Sequence, residues 1–173
     1  MRKICAALAA TAFLFSANSA DASLFDFTYT GGGVTGSGEL TANLIAPGEY
    51  EAVSGTDTVA GGVVNGTLTL FLNPSSPAAQ NSSSGYFTYD NLLFTNLDPS
   101  VNLNGLLFVD GAGREVNLFS TGPGAYVHYD NTGFNQSVSF TLTEVPEPAS
   151  IATLGLGLLG IGFIRQRRSG LSQ

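Results

Sequence analysis

Cysteine, tryptophan, histidine and positive charge are all scarce in this chain. Its 173 residues include one cysteine, no tryptophan, one histidine, and six lysines and arginines against thirteen acids. The single cysteine, Cys5, lies in an N-terminal apolar run. Beyond it no disulfide framework, thiol nucleophile or thiolate metal site can be built. One histidine, His128, cannot make a histidine metal cluster, and there is no G-x-S-x-G elbow to suggest a nucleophilic serine. The glycine-rich "GGGVTGSGEL" lacks the Lys-Ser/Thr of a phosphate loop and reads as turn chemistry. Carboxylate pairs could serve glycoside hydrolysis at suitable separations, but a chain this acidic makes some pairs by chance. No catalytic residue and no cofactor is therefore expected, and the chain does not read as an enzyme.

Five of the six bases are placed at the ends. Arg2 and Lys3 precede an apolar stretch, Ile4 to Phe15, which is followed by "SANSADAS". Ala20-Asp21-Ala22 fits an A-x-A cleavage site, with a mature start at Ser23. This is the anatomy of a secretory signal peptide over residues 1–22, and its apolar run is shorter than the ~20 residues a membrane span needs. From residue 23 to residue 143 there are ten acids and one base, Arg114, which leaves a net charge of −9. Such a surface repels nucleic acid and anionic lipid while tolerating cations and neutral polysaccharide.

That body reads as strands. "LFDFTYT" sets Phe25, Phe27 and Tyr29 on one face, and "SVSFTLT" does the same with Val138, Phe140 and Leu142. Period-two alternation marks half-buried strands. "GTLTLFL" groups Leu68, Leu70 and Leu72, and "GELTANLI", "EYEAVSGT", "YFTYDNLLF", "GLLFVDG", "REVNLFS" and "AYVHYD" continue the series. Turn signals stand between them, including Pro47-Gly48, Asn65-Gly66 and Asp110-Gly111. No amphipathic helical period occurs in the body. The expected fold is all-β: an antiparallel β-sandwich or jelly roll over residues 23–143, with a signal helix before it and one transmembrane helix after it. The Pro-, Ser- and Asn-rich stretch from Asn73 to Gly85 reads as the longest loop.

Two binding chemistries have candidate residues. Asp90, Asp110 and Asp130 sit at strand ends beside turns, where calcium finds oxygen ligands, although no D-x-[DN]-x-[DN]-G loop is present. The same residues form turns through their own backbone bonds. Tyr86, Tyr89, Tyr126 and Tyr129 are candidates for stacking on sugar rings, with core packing as the competing role. His128 and Tyr126 share one strand face, where a lone histidine is a surface or core residue.

The C-terminal segment is different in kind. Val145-Pro146-Glu147-Pro148 is followed by Ala149-Ser150, by an apolar run from Ile151 to Ile164 containing four glycines, and by Arg165, Arg167 and Arg168. In that order and position these elements resemble the PEP-CTERM sorting signal of exopolysaccharide-producing Gram-negative bacteria. Proline disfavours helix at Val145 and Glu147, which keeps the motif extended. A helix over residues 149–164 would reach about 24 Å, short of the ~30 Å hydrocarbon core, and its glycines weaken it further. The arginines hold the end on the cytoplasmic side. The resemblance implies export through the Sec translocon and recognition of the tail, residues 144–173, by an exosortase-type membrane protease. Tail cleavage and delivery to the cell surface or extracellular matrix would follow. The chain as a whole reads first as a structural or interaction protein, second as a β-sandwich module binding exopolysaccharide with or without calcium, and third as a secreted hydrolase.

Overall fold

The alternation seen in the sequence becomes one antiparallel sheet in a computed structural model, which describes residues 22–146. Its strands are β1 (Ala22–Gly31), β2 (Val34–Ala46), β3 (Glu49–Ala60), β4 (Gly66–Leu70), β5 (Gln80–Asn81), β6 (Thr88–Tyr89), β7 (Leu92–Phe94), β8 (Leu106–Val109), β9 (Glu115–Gly122), β10 (Ala125–Asp130) and β11 (Asn135–Val145). Neighbours run β2-β1-β11-β10-β9-β8-β4-β3, and β3 pairs back onto β2. Eight strands thus close into a barrel. β7 is added where β3 extends past β4, through pairs such as Glu49↔Phe94.

The strands are those the alternation suggests, but they do not form the two facing sheets of a sandwich. The reason lies in β2 and β3, 13 and 12 residues long. They pair along almost their whole length, with register shifts at Thr41/Ala42 and Leu44/Ala46. Bulges bend and twist a sheet, and here the bend carries it round until β4 meets β8. That seam is only two pairs wide, Thr69↔Val109 and Leu70↔Phe108. "YFTYDNLLF" divides into β6 and β7 because Asn91 takes a left-handed backbone, φ 59°. Its side chain bonds the Phe71 carbonyl at 2.8 Å and the Leu107 N–H at 3.1 Å, in place of a strand neighbour. β4 stops at Leu70, so Leu72 is 58% exposed and not grouped with Leu68 and Leu70.

The interior is filled by rings. Phe27 packs against Phe108 and Phe140, with centroids 5.6 and 6.0 Å away. Phe25 meets Tyr50 edge-on, and Tyr126 meets Phe140. Glycines make the room. Phe27 faces Gly38 and Tyr29 faces Gly36 across the β1–β2 pair. A Cβ on Gly38 would lie 1.8 Å from the Thr56 carbonyl oxygen and 2.7 Å from the Phe27 ring.

The first and last strands are neighbours, with Leu24 opposite Val145 and Phe25 opposite Glu144. Both ends of the described chain therefore leave from one end of the barrel. Ala22 and Ser23, at the expected cleavage site, already lie in β1, and Val145, the first motif residue, ends β11. Ala20, the apolar N-terminal run, Glu147, Pro148, Ala149, the apolar tail segment and Arg165, Arg167 and Arg168 lie outside the described residues. Among the described residues no helix is long and apolar enough to cross a membrane.

The ring-on-glycine packing is testable. Gly38→Ala is expected to lower stability by roughly 3 kcal/mol, at the upper end of overpacking costs. Gly111→Ala, with no atom within 4 Å of the added Cβ, should stay within about 0.5 kcal/mol. Urea unfolding of the two variants decides the matter.

Candidate functional site

Three places on the barrel carry unusual chemistry: its sealed interior, an aromatic patch on its side, and the junction with the tail.

Inside, Tyr29 donates a hydrogen bond of 2.8 Å to Oδ2 of Asp57, a fully buried carboxyl on β3. Oδ1 of Asp57 has no partner. Burial pushes the Asp57 pKa up to about 7, although the Tyr29 hydrogen bond pulls it down. Burial and the nearby Asp57 together hold the Tyr29 phenol well above its ordinary range. The Tyr29 ring also packs on His128, 5.5 Å between centroids, and Phe134 meets His128 edge-on. His128 is fully buried, and neither ring nitrogen has a hydrogen-bond partner. Desolvation lowers its pKa to about 4, opposed by the charge of Asp130. This histidine is a core residue in an apolar cage. Asp57 was not singled out from sequence, yet its spacing from Val59 and its register opposite Gly38 put it on the inward face.

Asp90, Asp110 and Asp130 are placed apart, each engaged by local donors. Asp90 accepts from the Leu92 N–H and from the Asn102 and Asn104 amides at 2.6 and 2.9 Å. Asp110 pairs with Arg114 at 2.6 Å. Burial raises its pKa, but hydrogen bonds from Arg114 and Ala112 bring it below the ordinary value. Asp130 Oδ1 accepts from Thr132 N–H, Thr132 Oγ1 and Phe134 N–H, shaping the β10–β11 turn. Among the described residues no group of three or more His, Cys, Asp or Glu side chains could hold a metal ion. Four of the body's ten acids, Asp57, Asp90, Glu115 and Asp130, are buried, so the surface is less acidic than composition suggests.

The four tyrosines separate. Tyr126 points inward, and its hydroxyl binds the Ser100 N–H and Asp98. Tyr89 is buried in a second apolar cluster with Phe87 and Leu107, outside the ring. Tyr86 and Tyr129 stand at that cluster's edge, ring centroids 5.6 Å apart and hydroxyls 2.8 Å apart. Tyr86 is 47% exposed. Buried Glu115 fixes the loop that carries Tyr86 by accepting from the Ser84 N–H and hydroxyl. The Asn73–Gly85 stretch is thus strapped to the barrel.

At the junction, Val145 is the last strand residue and Pro146 is exposed. Residues 144–168 match the PEP-CTERM protein-sorting motif, as the tail's order of elements suggests. No curated protein and no solved structure matches the chain.

The buried pair predicts an unusual pH response. The folded pKa of His128, about 4, lies below its ordinary 6.5. Between those values the unfolded chain holds the extra proton, so stability from this group rises with pH. Asp57 is reversed: its folded pKa of about 7 exceeds its ordinary 3.8. Between those values the folded chain holds the proton, and stability falls as pH rises. At 1.36 kcal/mol per pKa unit the histidine contributes roughly 3 kcal/mol and the aspartate roughly 4 kcal/mol, so in the native chain they largely cancel. Asp57→Asn should expose the histidine slope, with urea midpoints rising from pH 4 to pH 6.5. His128→Leu should expose the opposite slope.

Proposed function

We propose that this exported protein, which carries a PEP-CTERM sorting signal recognised by the membrane protease exosortase, is a non-catalytic structural or interaction protein of the cell surface or extracellular matrix. On this reading residues 1–22 are removed as a signal peptide. The tail, residues 144–173, then holds the folded barrel at the inner membrane through its apolar segment 149–164 until it is cut. The observation that carries it is the junction. Every strand pairing of the barrel is complete by Val145, the second residue of the matched sorting segment. A cut beyond Pro146 leaves the body intact, as a removable handle requires. The filled interior supports the non-catalytic reading, since it places the contact chemistry on the outer surface.

A second reading, a domain that binds the cell's own exopolysaccharide, is favoured by one feature. Tyr86 and Tyr129 form a partly exposed aromatic edge, joined through their hydroxyls, and such rings suit stacking on sugar faces.

Replacing Pro146-Glu147-Pro148 with alanines should leave the protein in the inner membrane with its tail, as intact mass of the surface and membrane pools will show. Surface protein of normal processed mass would refute the sorting role. For the second reading, Tyr86→Ala and Tyr129→Ala should each weaken retention on immobilised exopolysaccharide about tenfold, while Leu103→Ala leaves it unchanged. Equal retention by all three would remove that reading.

A further inference from the structure

The end of the barrel from which both termini leave is also where exposed apolar side chains gather. Among the described residues eight large apolar side chains are exposed. Leu24, Leu44, Ile45 and Leu97 are at this end. Leu24 pairs with Val145, and Leu44 and Ile45 lead into the Pro47-Gly48 turn between β2 and β3. Leu97, 63% exposed, tips the loop that closes this end. That loop is fixed in place: the Thr95 N–H bonds the Gly48 carbonyl at 3.0 Å, and Asp98 accepts from the Gly124 N–H at 2.9 Å. The opposite end presents Val63 alone. Leu72 and Tyr86 lie on the segment between β4 and β7, and Leu103 on the same β7–β8 connection as Leu97.

The length of chain beyond the barrel says what covers this rim. Five residues, Pro146 to Ser150, separate the last strand residue from the apolar run at Ile151. At about 3.5 Å per residue they reach at most roughly 17 Å. The headgroup zone on each side of a bilayer is about 5–7 Å deep. A barrel held on so short a lead, and leaving by the same end, must turn that end to the membrane.

Resting on the sorting-tail reading, we propose that the rim formed by Leu24, Leu44, Ile45 and Leu97 seats on the phospholipid surface while the tail is uncut. The seat sets the sorting motif at the membrane interface. The occupant is lipid because these side chains lie within a linker's length of where the chain enters it. Glu49, Glu51 and Glu144 share this end and the sole base of the body, Arg114, follows β8 at the other, so the attraction is apolar and suits zwitterionic headgroups. Tethering supplies a high effective concentration, so four modestly exposed side chains suffice without independent affinity.

The test uses the full chain with Cys5→Ser, reconstituted in phosphatidylcholine vesicles carrying a fraction of spin-labelled lipid. Single cysteines at Leu97→Cys, Val63→Cys and Leu158→Cys each carry an environment-sensitive fluorophore. Quenching at 158 and at 97, severalfold above that at 63, is the expected result. Quenching at 158 with 97 no different from 63 would overturn the seat and leave the tail reading standing. No quenching at 158 would overturn the tail reading and the seat with it. A blue-shifted but unquenched probe at 97 would mean that protein, not lipid, covers the rim, and would also overturn the proposal. Leu97 and Val63 are both exposed, and an unchanged near-UV circular dichroism spectrum checks that each labelled chain is folded.

Discussion

The packing of aromatic rings over bare backbone governs this barrel. Phe27 and Tyr29 project inward from β1 at positions where the facing residues of β2, Gly38 and Gly36, have no side chains. The rings can therefore lie across the lumen and reach Phe108, Phe140 and His128. Gly55, opposite Leu40, extends the arrangement to β3. Large side chains on one strand and none on its neighbour let eight strands close around a solid core. A methyl group at these positions would meet backbone or ring atoms below van der Waals distance.

Tyr29 joins that apolar stack to the polar groups it encloses. Its ring touches His128 and its hydroxyl holds Asp57. A buried carboxyl and a buried imidazole both disfavour their charged forms. Near neutrality the imidazole is neutral, and the carboxyl is divided between its two states. Burial opposes ionisation of both groups, in opposite directions of pH, so their titrations leave little net dependence on acidity. This is a different solution from that of Asp110, whose carboxylate remains at the surface beside Arg114.

The sequence made some of this legible and concealed the rest, for physical reasons. Alternation in "LFDFTYT" and "SVSFTLT" is a local property, and those segments became the neighbours β1 and β11. The tail was legible because its signal is linear. Closure was not, since it depends on a two-pair seam between β4 and β8 and on register shifts between β2 and β3 that composition does not reveal. The aromatic candidates could be named but not sorted, because exposure of Tyr86 and burial of Tyr89 are set by how the Asn73–Gly85 segment lies on the barrel. Asp90 illustrates the same limit: the residues it binds, Asn102 and Asn104, are brought to it by the turn at Asn91.

The adjacency of β1 and β11 has a consequence for timing. β1 meets its second neighbour only when the final strand arrives, so nearly the whole body separates the two partners along the chain. Contacts of such long sequence separation form slowly, because loop entropy is lost before they repay it. A chain that emerges N-terminus first must keep one edge of β1 unpaired until β11 has cleared. The ring is therefore completed only when the last of its strands, Asn135–Val145, docks against β1.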